Sequence, residues 1–323
     1  YNGSLLNKNQ IADINLLINK RGPDGKGFYN SNDGCQLIHS RLAIIDINER
    51  ASQPFYYQNL VIVFNGELYN YVELRSELKK LGTVFHTESD TEVLAAAWKQ
   101  WGKSALSLFD GMWAIAIYDK NSKELVVATD PFGEKPLFYY NDDYFCFASR
   151  YDVLPILSGK KLEPDLKQLS NYVSNGYKSL FKTERTFLKR VKRLQAASYI
   201  TIKDNKLTLK KYWEPASDIP KYKDDEEAIF NIRKELINSV KLRMRSDVPI
   251  AFCLSGGIDS SVLIGAAVKE CGVKATAFTI ANSDGRYDEL DQVSITKNFL
   301  DINSIVVRPG ERDFISSFEE MVR

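Results

Sequence analysis

With 323 residues the chain exceeds the size at which one hydrophobic core stops growing, and two domains are expected. Its 44% hydrophobic, 26% charged and 12% aromatic residues are those of a folded globular protein and exclude disorder. The 43 Lys and Arg offset 42 Asp and Glu to a net charge of +1, which gives no electrostatic case for a nucleic-acid or membrane-surface partner.

Up to residue 213 short strands dominate: runs at 36–45, 60–65, 112–119, 124–129 and 144–148 are rich in Val, Ile, Phe and Tyr and bounded by Gly, Asn and Asp. Two amphipathic helices fall between them. Over 71–81, Val72, Leu74, Leu78 and Leu81 recur at helical offsets, and over 91–101 Val93, Leu94, Ala97, Trp98 and Trp101 share one face ahead of Gly102. A helix over 166–172 and a hairpin pairing 197–202 with 206–213 across Lys203-Asp204-Asn205 complete an α+β domain, 1–213.

Residues 214–224, polar and carrying Pro215 and Pro220, read as a linker. The pattern from 225 to 323 then alternates: helix 225–244, strand 249–254, helix 259–269, strand 274–280, helix 290–300, strand 304–307. Units of this length predict a parallel, doubly wound α/β sheet.

Cys35, Cys146, Cys253 and Cys271 show no CxxC spacing and lie in or beside apolar runs, so they read as buried free thiols of a reducing compartment. His39 and His86 are the two histidines, and no His/Cys cluster supports zinc. No apolar stretch approaches the roughly 20 residues that span a bilayer, and no signal-peptide pattern opens the chain; no membrane partner and a cytoplasmic location are expected. Tyr1 in place of Met, and a helical pattern running to Arg323 without a stop, make both ends read as cuts.

The sharpest local feature is Leu254-Ser255-Gly256-Gly257-Ile258-Asp259-Ser260-Ser261, an apolar strand passing through two glycines into a helix. Glycines let the backbone turn tightly against a ligand, and the N–H groups of a helix start with nearby Ser hydroxyls donate to an anion. An ordinary capped strand-to-helix turn is the alternative. The whole string resembles the pyrophosphate-binding loop of ATP-pyrophosphatase domains, of the adenine nucleotide alpha hydrolase-like fold, which cleave ATP to AMP and pyrophosphate. It lacks the GxxxxGK[ST] pattern of γ-phosphate transfer. The resemblance implies that Ser255, Gly256, Gly257 and Ser260 grip phosphates and that Asp259 holds Mg²⁺, with Leu254 and Ile280 against adenine. Leu254 and Ile280 are also good core residues, and for Ile280 the core reading is preferred.

Polar clusters punctuate the first domain: Arg21-Gly22-Pro23-Asp24-Gly25, His39-Ser40-Arg41-Leu42, Phe64-Asn65-Gly66-Glu67-Leu68-Tyr69-Asn70, Ser89-Asp90-Thr91-Glu92 and Asp130-Pro131-Phe132-Gly133-Glu134-Lys135-Pro136. Singly each is a polar turn at a strand end. Arg41 alone reads as a surface salt bridge and Asn65-Gly66 as a hairpin turn. In this order, ahead of the Gly-rich loop, they resemble the class II glutamine amidotransferase domain joined to an asparagine synthase domain, the architecture of glutamine-hydrolysing asparagine synthetases. The resemblance implies an Ntn-hydrolase-like αββα sandwich followed by an incomplete ATP-pyrophosphatase domain. It further implies that Arg41 clamps the glutamine carboxylate, that Glu67 and Asp90 take its ammonium group, and that Asn65 and Gly66 form the oxyanion hole, the side-chain amide and backbone N–H that steady a developing oxyanion. The family's nucleophile, an N-terminal Cys with its own α-amine as base, is not in this sequence.

The chemistry so implied uses glutamine, ATP with Mg²⁺, and aspartate. Ammonia freed from glutamine displaces AMP from β-aspartyl-AMP to give asparagine. A homodimer is one arrangement the resemblance allows. Two alternatives remain: the same architecture amidating or cyclising another carboxylate (a sugar acid, peptide or β-amino acid), and a non-catalytic module that binds glutamine or ATP. Thr129, Pro131, Arg150 and Gln195-Ala196-Ala197 depart from the family's usual residues, where it has arginines, an acid and a Pro-Pro-Gly turn.

Overall fold

The computed structural model describes residues 5–217, 220–281, 284, 286 and 288–308. Residues 218 and 219 of the expected linker, and the helical pattern running to Arg323, lie outside the described residues. Two compact units, 1–218 and 219–323, have separate hydrophobic cores.

In chain order the first unit holds α1 (Lys8–Asn19), β1 (Gly25–Asn30), β2 (Gln36–Arg41), β3 (Phe55–Tyr57), β4 (Leu60–Leu68), α2 (Tyr71–Lys80) and α3 (Asp90–Trp101). It continues with β5 (Gly111–Asp119), β6 (Glu124–Thr129), β7 (Phe138–Asn141), β8 (Phe145–Ala148), α4 (Leu154–Ser158), α5 (Leu166–Asn175), β9 (Val191–Arg193), β10 (Ser198–Lys203) and β11 (Lys206–Lys211). A six-stranded antiparallel sheet runs β11-β10-β6-β5-β4-β3, with β1-β2 and β8-β7-β9 as smaller antiparallel sheets.

Strand alternation builds the layers. On β4, Ile62 and Phe64 face a core completed by Leu74, Leu78, Val93 and Leu94 of α2 and α3. Val61 and Val63 point the opposite way, into a second core shared with Leu37 of β2, Tyr139 of β7 and Phe145 of β8. Beyond that layer α1 packs on β2 and α4 on β7 and β8. The order helix, sheet, sheet, helix is the αββα sandwich expected for the first domain.

Most expected elements appear within a few residues. The strand expected over 36–45 stops at Arg41, and the chain turns through Asp46 at φ 47°. The 203–205 hairpin tip is a two-residue turn, Asp204-Asn205, with both φ positive, the conformation of a type I′ turn. Helices α1 and α4 and strands β1, β3, β7 and β9 were not expected.

The second unit holds α6 (Asp225–Arg243), β12 (Ala251–Cys253), α7 (Ile258–Lys269), β13 (Thr276–Ile280), α8 (Leu290–Leu300) and β14 (Asn303–Val307). Its sheet, β12-β13-β14, is parallel throughout, as the alternating pattern requires. Ile264, Ala277, Val293 and Leu300 form its core. No helix among the described residues is long and apolar enough to cross a membrane.

Of the four cysteines only Cys35 and Cys146 are buried; Cys253 is exposed and Cys271 intermediate, against the expectation of buried thiols throughout. Cys35 also lies just before β2 rather than inside it.

Candidate active site

In the first unit Arg41, Asn65, Gly66, Glu67 and Asp90 all line one cavity of about 480 Å³. Three elements bring them there. Arg41 ends β2, Asn65 to Glu67 lie inside β4, and Asp90 opens α3 behind the N-cap Ser89, whose hydroxyl accepts the Thr91 N–H at 3.1 Å. Asn65-Gly66 is therefore mid-strand, not the hairpin turn that the dipeptide alone suggested. Asn65 and Glu67 continue the face of Val61 and Val63, which directs their side chains toward the second layer, where the Asn65 amide lies 3.4 Å from Ser149 Oγ.

The backbone of β4 explains Gly66. β3 begins at Phe55, opposite Ile62, so past Ile62 the outer edge of β4 has no strand partner. Side chains replace it: Phe64 N–H donates to Gln53 Oε1 at 2.6 Å, Phe64 C=O lies 3.2 Å from His39 Nε2, and Leu68 N–H donates to Asp90 Oδ2 at 3.0 Å. Gly66 lies between these two residues with the same parity. Its partner across β5, Trp113, has both backbone groups turned the other way, its N–H to Asp130 Oδ2 at 3.1 Å and its C=O to Asp130 N–H at 2.8 Å. Gly66 N–H thus faces the unpaired edge, beside the cavity. A Cβ at 66 would lie 2.0 Å from the Met112 carbonyl oxygen, so only glycine lets β5 approach this closely.

Burial sets the electrostatics. Desolvation raises the Glu67 carboxyl above the ordinary range, with the positive charge of Lys135 opposing it. Asp90 is pushed up to about 6, chiefly by burial and further by the nearby Glu67 charge, against the stabilising Leu68 N–H. Two partly desolvated carboxylates in one cavity favour a cationic guest. Arg41 is buried, not the surface ion pair that it suggests in isolation. Its Nη1 donates to Asn48 O at 2.8 Å and its Nη2 to Ile45 O at 3.4 Å and to Asp46 O. Three of its five N–H groups hold this loop, which leaves two for an anion.

Sequence reasoning missed the supports of this site. Gln53 and His39 serve the β4 edge, and Arg75 donates to Thr87 O at 2.7 Å and Ser89 O at 3.0 Å from under the loop that carries Asp90. Glu92 adds bonds from His86 N–H at 3.0 Å and Thr87 N–H at 2.7 Å. Gln and Arg in an α+β sequence carry no signal of which carbonyl or amide they will meet. Cys35 also lines the cavity, but burial pushes its thiol up to about 12, and Cys146 likewise. Neither is a ready nucleophile.

In the second unit the Gly-rich loop joins β12 to α7. Leu254 is buried and donates its N–H to Phe278 O at 2.9 Å. Ser255 Oγ accepts the Gly257 N–H at 3.2 Å, and Ser260 Oγ donates within the loop, with Ser255 O 3.1 Å away and Gly257 O 3.2 Å away. Gly256 N–H donates to the Glu289 carboxylate at 2.9 Å, so this backbone group already holds an anionic oxygen. Asp259 is exposed in the first turn of α7. Ile280 ends β13 and is 77% exposed, which overturns its reading as a core residue. Leu254 and Ile280 stand at the C-terminal ends of neighbouring parallel strands, the usual side for a ligand in such sheets. Among the described residues no three His, Cys, Asp or Glu cluster as a metal site.

The family pattern for a glutamine amidotransferase domain matches residues 2–213, and that for asparagine synthase matches residues 231–323. Asparagine synthetase [glutamine-hydrolyzing] 1 of Bacillus subtilis is 36% identical over 93% of this chain and 47% of its own length. Asparagine synthetase [glutamine-hydrolyzing] 3 of the same organism is 32% identical over 81% of this chain and 43% of its own length. The chain therefore spans about half the length of these relatives. Among solved structures, glutamine phosphoribosylpyrophosphate amidotransferase from B. subtilis aligns with 89% of this chain and 56% of its own, at 18% identity and a TM-score of 0.41.

Proposed function

Because this chain belongs to the family of glutamine amidotransferase domains and runs on into the asparagine synthase pattern, we propose that the protein it belongs to is a glutamine-dependent asparagine synthetase. In this reading residues 1–213 release ammonia from glutamine, 214–224 link the domains, and 225–323 begin the domain that activates aspartate with ATP. The enzyme works in the cytoplasm on small molecules, as a homodimer.

The observation that carries the reading is the Gly66 N–H on the unpaired edge of β4, in reach of the cavity that Arg41, Glu67 and Asp90 line. Glutamine is a zwitterion with one reactive amide, and each part has a counterpart. Glu67 and Asp90 take the α-ammonium group, and the two remaining N–H groups of Arg41 take the α-carboxylate. Attack on the side-chain amide moves charge onto its oxygen, where Gly66 N–H and the Asn65 amide donate. Burial keeps Cys35 and Cys146 protonated, so neither is taken as the attacking thiolate, a role that the family resemblance gives to an N-terminal cysteine.

In the second domain, the Gly256 N–H that holds a carboxylate oxygen fits a phosphate oxygen equally, and Ser255, Gly257 and Ser260 shape the loop around it. Leu254 and Ile280 offer apolar contact to adenine. ATP supplies the activation of a carboxylate as its adenylate. A Mg²⁺ ion fits Asp259 only as one carboxylate ligand completed by phosphate oxygens.

In the full-length protein Arg41→Ala should abolish asparagine formation driven by glutamine and leave formation from added ammonium within about twofold, because Arg41 serves only the first domain. Equal loss of both activities would refute this division of labour.

A further inference from the structure

Gly66 can donate from the outer edge of β4 only if that edge is held straight where β3 has ended. Two side chains do this at Phe64. Gln53 takes its N–H, and His39 reaches from β2 to its C=O at 3.2 Å. A carbonyl only accepts, so Nε2 of His39 carries a hydrogen, and in the neutral ring Nδ1 then keeps a bare lone pair. That Nδ1 is buried and finds no hydrogen-bond partner among the described residues. A buried acceptor without a partner costs free energy and calls for a reason, since an apolar side chain would fill the space without it.

The reason lies in what β2 and β4 carry. His39 is two residues before Arg41, and Phe64 is two before Gly66. The His39 bond joins the two-stranded sheet to the six-stranded one at the level of both groups. It fixes the distance between the carboxylate clamp and the oxyanion donor.

We propose that His39 is a positioning residue, a neutral Nε2–H imidazole that ties β2 to β4 and so aims Gly66 N–H and Asn65 at the amide of a glutamine held by Arg41. The inference rests on the glutaminase reading above. Burial lowers the imidazole to about 4, which keeps it neutral at working pH. Arg41, the charged group facing it from its own strand, acts in the same direction.

The test uses the full-length protein with His39→Leu, which removes the donor, and His39→Gln, which keeps an N–H near the same place. Glutaminase kcat should fall about tenfold or more in His39→Leu, with KM for glutamine changed by less than about threefold and ammonium-driven synthesis unaltered. His39→Gln should recover most of the loss. A kcat unchanged in His39→Leu, a loss confined to KM, or no recovery in His39→Gln overturns the proposal.

A second readout does not depend on the reaction. Imidazole ¹⁵N–¹H correlation spectra at pH 6, with His39 assigned by its absence in His39→Gln, should show the neutral Nε2–H tautomer. A protonated ring or the Nδ1–H tautomer overturns the proposal even if the protein hydrolyses no glutamine. Absence of glutaminase in the wild type, with the expected tautomer present, would instead remove the functional reading and leave the β2–β4 tie standing.

Discussion

The carboxylate of Asp90 accepts the N–H of Leu68 at 3.0 Å, so the first turn of α3 is fastened to the outer edge of β4 two residues beyond Gly66. A helix start that would otherwise be a cap becomes a wall of the cavity. This one bond sets where a negative charge stands relative to the open backbone N–H.

The same burial makes stability depend on pH. Asp90 in the folded protein sits at about 6, above its ordinary 3.8. Between these values the folded state keeps a proton that the unfolded chain has released. The contribution of Asp90 is therefore full below about pH 4 and lost as pH rises through 6. Denaturation of wild type and Asp90→Asn across pH 4–7 should show the wild-type advantage shrinking by roughly 1–3 kcal/mol. A constant difference would contradict the assignment.

Gly66→Ala should destabilise the first unit by roughly 2–4 kcal/mol, because the new Cβ meets the Met112 carbonyl oxygen at 2.0 Å and the Trp113 Cα at 2.7 Å. Neither atom belongs to a side chain that could move aside. β4 and β5 would have to part. Urea denaturation checks the magnitude, and a change below about 0.5 kcal/mol would show that the strands are less closely held than this.

Arg75→Met should cost roughly 2–4 kcal/mol, since it leaves the carbonyls of Thr87 and Ser89 without their donor while conserving apolar bulk against Phe85. The loop it supports carries Asp90, so KM for glutamine should rise while ammonium-driven synthesis persists. Denaturation together with the two assays checks this; equal loss of both activities would count against it.

The pattern of exposure predicts thiol chemistry directly. In the folded 323-residue chain an alkylating reagent at pH 7.5 should modify Cys253, which is exposed there, and spare Cys35 and Cys146, which are buried and pushed up to about 12. Peptide mass spectrometry reads the result. Rapid modification of Cys35 would reopen it as a nucleophile.

Much of this fold was legible because apolar runs bounded by turn residues and helical periodicity report burial directly. β4, β5 and β6 each bury both faces as continuous apolar runs, and α8 appears over the residues its apolar spacing indicates. The short pieces were not legible. β3 has three residues and β9 three, too few for a period to show. Ile280 misled for a related reason: β13 buries Ala277 and Thr279 and exposes Phe278 and Ile280, and hydrophobicity does not say which face is covered. Motif order had singled out Arg41, Glu67 and Asp90, which the structure brings to one cavity. That the Gly66 N–H faces an open edge because β3 ends too soon, with Gln53 and His39 filling in, depends on pairing across distant segments that no local pattern records.

The central claim is that the first domain draws nitrogen from glutamine for use in the second. The most direct measurement gives the full-length protein [amide-¹⁵N]glutamine, aspartate and ATP with Mg²⁺, and follows ¹⁵N into products by NMR. The account predicts labelled nitrogen in the side-chain amide of asparagine, with one glutamate formed for each AMP released. Glutamate and AMP formed without labelled asparagine would point to another acceptor, and no glutamate from a protein that makes asparagine with ammonium would contradict the account.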